Sequence, residues 1–203
     1  MNLYLAKAIG RGSTELAAFD AALVGAGVAN FNLIRLSSVI PPSGKVLEVE
    51  RCPFAQEGGW GDRLYAVYAE QRTGVAGEQV WAGVGWAQDG ETGRGLFVEH
   101  EGTREQDVRD AISASLRDLQ AIRELDLGPV HTSVVGAVCT GTPTCALVIC
   151  GYGTEPWPAA ELADPAARAL DVHVKPGVGA GIPALRPATG LPRVAVTHAA
   201  RCG

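Results

Sequence analysis

The chain has 203 residues, 47% hydrophobic and 19% charged, which is enough apolar material for one well-filled core. A net charge of −5 argues against general nucleic-acid binding, and no apolar run approaches the roughly 18 residues that a membrane-spanning helix needs. MNLYLAKAIG at the start shows no charged segment followed by an apolar run, so no secretion signal is expected, and the odd count of 5 cysteines then suggests reduced thiols in the cytoplasm.

In chain order, LYLAKAIG reads as a strand. Ser13 can cap a helix over about residues 14–25, with Gly25 and Gly27 able to end it. FNLIRL, residues 31–36, is the next strand. It runs into Ser37-Ser38 and then Pro41-Pro42, which cannot extend a sheet ladder. Short strands are expected over residues 46–50, 64–69 and 80–87, followed by the strand LFVEHEG at residues 96–102. The following helix opens on Thr103 and Gln106, a T-x-x-Q capping-box pattern, and carries the stripe Val108, Ile112, Leu116, Leu119 and Ile122. Gly128-Pro129 stops it. Strands over residues 130–138 and 145–152 are joined by Gly141-Thr142-Pro143.

Beyond Gly153 the character changes, with 7 of the 12 prolines in residues 153–203. A short helix over residues 158–170 followed by irregular chain is expected there. The division is therefore a folded domain at 1–152 and a Pro/Ala/Gly-rich extension at 153–203. Two amphipathic helices among many strands give a mixed α/β (α+β) chain in which helices cover a pair of packed sheets.

The serine pair is the feature with chemical content. It sits at a strand end before a forced change of direction, where surrounding structure can hold backbone strain. The Ser38 hydroxyl can attack the carbonyl of Ser37 and turn the amide into an ester. Elimination across Cα–Cβ of Ser38 then releases the upstream chain, and hydrolysis leaves a ketone, a pyruvoyl group. A serine pair alone is most often an ordinary strand end, so the surroundings must carry the reading.

Four polar positions stand out. Asp20 follows Leu16 by four residues and precedes Leu23 by three, which places a carboxylate on the apolar stripe of the first helix, where it needs a pairing or bound partner. Asn32 shares a strand face with Ile34 and Leu36 and needs a hydrogen-bond partner, either backbone or a reacting group. Glu99 and Glu101 flank His100 and share a face with Phe97. Carboxylates that close raise one another's pKa and suit a proton donor near neutral pH, or else one is satisfied in the core and the other is solvated. His100 faces the other way and takes no catalytic role. Cys139, Cys145 and Cys150 lack metal-ligand spacing, so no metal is assigned.

The run FDAALVGAGVANFNLIRLSSVIPP, from Phe19 to Pro42, closely resembles the self-processing segment of the pyruvoyl-dependent arginine decarboxylases. The matching pieces are Phe19-Asp20, Gly25-Ala26-Gly27, Asn30, Asn32, Leu33-Ile34-Arg35, the serine pair and the closing prolines. The likeness continues more weakly from about Leu3 to Tyr152 and includes LFVEHEG as a second match. It implies a four-layer αββα sandwich and a self-cleaving proenzyme. Cleavage between Ser37 and Ser38 would give a β chain of residues 1–37 and an α chain beginning at residue 38. The prosthetic group would be a covalent pyruvoyl derived from Ser38, with no pyridoxal phosphate.

The implied reaction is decarboxylation of L-arginine to agmatine and CO2, serving polyamine biosynthesis or acid resistance. In the matching roles, Glu99 returns a proton to Cα, Asn32 positions the Ser37 carbonyl or the maturing group, and Asp20 receives the substrate guanidinium. The resemblance also implies a homotrimer or dimer of trimers with sites between subunits. Two alternatives stay open. One is a decarboxylase for another cationic amino acid; the other is a non-processing structural or regulatory subunit, against which the joint presence of Ser37, Ser38, Asn32 and Glu99 argues. The extension at 153–203 departs from the family, whose members usually end near the preceding strand.

Overall fold

The computed structural model describes residues 1–158. The helix expected in the extension lies outside the described residues. The apolar run around TCALVIC forms β9 (Thr144–Glu155), whose first eight residues are buried. A strand buried on both faces must sit inside a sheet with layers on either side. It pairs antiparallel with β1 (Asn2–Arg11) and β5 (Arg63–Thr73). The outer strands β2 (Asn32–Arg35) and β4 (Lys45–Glu48) complete a five-stranded sheet of order β2-β5-β9-β1-β4. The second sheet has four strands in the order β3-β7-β6-β8, from β3 (Val39–Ile40), β7 (Gly95–Gly102), β6 (Gln79–Gln88) and β8 (His131–Val138).

Side-chain alternation then fixes the layers. On β9, Cys145, Leu147 and Ile149 face α1 (Glu15–Ala26), while Ala146, Val148 and Cys150 face the other sheet. On β7, Phe97 points between the sheets and Leu96 and Val98 point to α2 (Glu105–Ile122). The result is the four-layer αββα sandwich, and no helix among the described residues is long and apolar enough to cross a membrane. The cysteines at 52, 139, 145 and 150 are buried and unpaired, as small core residues.

The helix ends differ from the sequence expectation. Thr14, not Ser13, caps α1, its hydroxyl accepting from Ala17 N–H at 3.1 Å, and Gly25 lies inside the helix, which ends on Gly27 at φ +81°. The capping box of α2 does not form: Arg104 is the cap residue, and Gln106 reaches forward to Asp110 instead. The stripe on α1 also differs. Ala18, Ala22, Leu23 and Ala26 are the buried positions, so Leu16 and Asp20 face solvent.

Alanines let α1 lie close on β1. A Cβ placed on Gly10 would come within 2.0 Å of the Ala18 carbonyl oxygen, a backbone atom that cannot swing away. Gly10→Ala is therefore expected to lower stability by about 1–3 kcal/mol through overpacking. Gly153→Ala, with open space around it, should change it by less than about 1 kcal/mol. Urea midpoints of the two variants, both in a Ser38→Ala chain, provide the comparison.

Candidate active site

The serine pair is where the chain passes from one sheet to the other. Leu36 N–H is bonded to the Ala66 carbonyl of β5 at 3.0 Å, and the Ser38 carbonyl accepts from Phe97 N–H of β7 at 2.8 Å. Between these anchors no ladder holds the Ser37–Ser38 peptide. Ser38 takes φ +67°, a left-handed conformation that costs a β-carbon-bearing residue about 1–2 kcal/mol. Its hydroxyl donates to Glu99 Oε1 at 2.6 Å. A cavity of about 420 Å³ opens here, lined by Ser37, Ser38, Glu99, His100, Ser115 and Asp118 among others.

Burial pushes the Glu99 carboxyl above its ordinary value, while the Ser38 hydroxyl, the Arg35 charge and His100 pull it down and Glu101 adds to the rise. Glu99 is half-buried and Glu101 exposed, so the pair splits into one acid held in the structure and one in solvent. His100 faces α2 and meets the Ser115 hydroxyl at 2.8 Å. A carboxylate touching a hydroxyl can take its proton, and a carboxyl with a raised pKa holds and returns one at higher pH than an ordinary carboxyl does. Glu99 has that contact and that direction of shift.

Asn32 and Asp20 are placed elsewhere in the single chain. Asn32 is exposed, and its amide donates to the Gly61 carbonyl at 2.5 Å, the backbone partner that the sequence left as one option. Four residues lie between it and Ser37, five steps along the chain, or roughly 16 Å at about 3.3 Å per step if extended. Asp20 is exposed between Leu16 and Val24, themselves 69% and 49% exposed, and among the described residues no cation pairs with it.

Two participants were not singled out from the sequence. Phe97 acts through its backbone N–H, and only its place in the strand LFVEHEG hinted at it. Arg35 sits close enough to Glu99 to bias its charge, with its guanidinium stacked 4.6 Å over Tyr68 and bonded to the Tyr68 carbonyl at 2.5 Å. An arginine following the apolar pair Leu33-Ile34, two residues before Ser37, was the available signal.

Residues 2–156 match the family described as pyruvoyl-dependent arginine decarboxylase (PvlArgDC). The chain is 40% identical over 144 residues to the pyruvoyl-dependent arginine decarboxylase of Halobacterium salinarum, covering 69% of this chain and 86% of that protein. It is 35% identical over 92 residues to the enzyme of that name from Methanocaldococcus jannaschii, 45% of this chain and 52% of that one. A third relative is pyruvoyl-dependent arginine decarboxylase 2 of Archaeoglobus fulgidus, 31% identical over 101 residues, 49% of this chain and 63% of that protein.

The raised pKa of Glu99 has a consequence for stability. A carboxyl whose folded pKa lies above its unfolded value contributes stability below the unfolded pKa and loses that contribution as pH rises through the folded one. In a Ser38→Ala chain, Glu99→Gln should therefore gain stability relative to its parent at neutral pH. The gain should shrink as pH falls below the ordinary carboxylate range. Urea titrations at acid and neutral pH test this, and a gain independent of pH would contradict it.

Proposed function

Since the chain belongs to the pyruvoyl-dependent arginine decarboxylase family, we propose that it decarboxylates L-arginine to agmatine and CO2 after cleaving itself between Ser37 and Ser38. The observation that carries this reading is the Ser38 hydroxyl on Glu99 at 2.6 Å, in a residue of left-handed backbone at an unladdered crossing. The surroundings fit a pyruvoyl group at position 38. The residue-38 carbonyl already has a donor in Phe97 N–H, and a cavity large enough for an amino acid opens beside it.

In processing, Glu99 takes the Ser38 hydroxyl proton as Oγ bonds to the Ser37 carbonyl carbon. The C–N bond breaks and the proton passes to the residue-38 nitrogen, which leaves an ester. Loss of the Ser38 Cα proton and of the Cβ–O bond then releases Ser37 as a carboxylate. The dehydroalanine left behind takes up water and loses ammonia. The balance is one water consumed and one ammonia released, with no oxidant.

The pyruvoyl group supplies an electron sink that stabilises negative charge at the substrate's Cα as CO2 departs. This chain's own residues do the rest. Glu99, at the reacting position, returns a proton to Cα. Asp20 offers the carboxylate that matches a guanidinium in shape and charge. Since Asn32 and Asp20 lie away from Ser38 within one chain, we assign them to the site of a neighbouring copy, in a trimer or dimer of trimers. The exposed Leu16 and Val24 beside Asp20 suit such a contact. The joint presence of Ser37, Ser38, Asn32 and Glu99 argues against the non-processing subunit reading.

A denaturing intact-mass measurement should show two species, residues 1–37 and a pyruvoyl-blocked chain from position 38, and a single whole chain for Ser38→Ala. A wild-type protein that stays whole on long incubation would instead favour the non-processing reading. On processed enzyme, Asp20→Asn should lower kcat/KM for arginine by about 10- to 100-fold, the worth of one charged hydrogen bond. Glu99→Gln should slow self-cleavage itself, and whatever fraction does process should show a kcat lower by about 10²- to 10⁴-fold per pyruvoyl end. Agmatine release measured alongside lysine and histidine as competing substrates checks both the roles and the specificity.

A further inference from the structure

β3 is two residues long and lies at the edge of its sheet, yet it carries the backbone that follows the scissile bond. On its inner side it pairs with β7, Val39 opposite Leu96 and Ile40 opposite Gly95. With Phe97 N–H on the Ser38 carbonyl, antiparallel alternation turns the Val39 carbonyl away from β7, toward the open side. There it meets a side chain from the other sheet: the Tyr152 hydroxyl of β9 donates to it at 3.0 Å. The Tyr152 ring stands edge-on to Phe97 with centroids 6.2 Å apart, packed against the core between the sheets.

The phenol is suited to a permanent donor role. Burial, with the nearby Cys150 and Glu99, holds its pKa well above the ordinary tyrosine value, so it keeps its proton at any working pH. Residues 38 and 39 are then fixed by three contacts reaching in from different directions: Phe97 N–H on the Ser38 carbonyl, Glu99 on the Ser38 hydroxyl, and Tyr152 on the Val39 carbonyl.

We propose that Tyr152 is a positioning residue for self-processing, its hydroxyl anchoring the Val39 carbonyl so that Ser38 stays in its left-handed conformation with Oγ on Glu99. This rests on the self-cleavage reading above and adds a partner from the opposite sheet. Its effect falls on two steps. Attack on the Ser37 carbonyl needs Oγ held on the side from which it can bond. Elimination from the ester then needs the residue-38 Cα–H aligned with its Cβ–O bond. When alignment is lost, water competes for the ester: it adds to the Ser37 carbonyl, the C–O bond breaks, and the products are the Ser37 acid and a chain beginning with a free Ser38 amine and hydroxyl. That by-product exceeds the pyruvoyl chain by the mass of ammonia.

The test is a time course of intact mass on full-length wild type and Tyr152→Phe, the variant keeping the ring and losing only the hydroxyl. Cleavage in the variant should be about five- to tenfold slower, the effect of one net hydrogen bond. A fraction of its product should end in Ser38 in place of pyruvoyl. A fold control is the thermal midpoint of Ser38→Ala against Ser38→Ala with Tyr152→Phe, expected to differ by no more than about 4 °C, the effect of one hydrogen bond. Cleavage at the wild-type rate with only pyruvoyl ends would overturn the role. So would slowing that tracks a large drop in the midpoint, because that assigns Tyr152 to general stability. If wild type itself never cleaves, the self-processing reading falls first, and the positioning role with it.

Discussion

Everything about the site depends on where the chain crosses between its two sheets. β2 belongs to one sheet and β3 to the other, and only Leu36 to Ser38 connects them. A crossing that short cannot run extended throughout, and Ser38 absorbs the turn with φ +67°. The cost, about 1–2 kcal/mol, is matched by hydrogen bonds of roughly 1 kcal/mol each that hold the same two residues. Strain of this kind persists only where the surroundings over-determine it, and here the anchors come from both sheets: Ala66 before the crossing, Phe97, Glu99 and Tyr152 at and after it.

The same arrangement explains how a chain could be cut there and stay folded. Upstream of Ser37, β2 is paired in parallel with β5 through residues 32–35. Downstream of Ser38, β3 is paired with β7. The proposed cut falls in the short stretch between these ladders, so neither loses a bond. The two fragments stay joined through the five-stranded sheet, where β1 pairs with β9 and β4 and β2 pairs with β5, and through the core between the sheets. The new ends would also sit beside Glu99, whose pKa is lifted by its burial in the sandwich.

The sequence made much of this legible, and unevenly. The strands other than the two-residue β3, the two helices and the buried cysteines could be read from apolar periodicity, since side-chain alternation is local and strong in runs such as TCALVIC. The serine pair and Glu99 were legible because they lie in dense stretches resembling a known family, and the structure brings them to 2.6 Å. Strand order was not, because pairing β9 between β1 and β5 joins residues more than 130 apart in the case of β1, and no local pattern encodes that. The capping box at Thr103 failed because Arg104 took the cap position, a shift of one residue that propensity does not decide. Asp20 was misjudged for a related reason. With alanines and Leu23 covering the sheet, the face bearing Leu16, Asp20 and Val24 is turned outward, although those leucine and valine side chains look like core in a periodicity reading.

That outward face carries a physical consequence for the proposed assembly. Covering Leu16 and Val24 with another copy would contribute up to about 1.5–3 kcal/mol for each side chain fully removed from water. The carboxylate of Asp20, placed between them, would lose its solvation in the same contact, and an unpaired buried charge costs several kcal/mol. A surface that gains from apolar burial while carrying an acid is most stable when the contact also receives a cation. Among the described residues of this chain none is paired with Asp20, so in the proposed contact the cation would come from a neighbouring copy or from substrate. A guanidinium meets the need in charge and in planar geometry. A substrate that neutralises the acid would then favour the assembly that binds it, so that affinity for arginine and cohesion between copies would be two readings of one interaction.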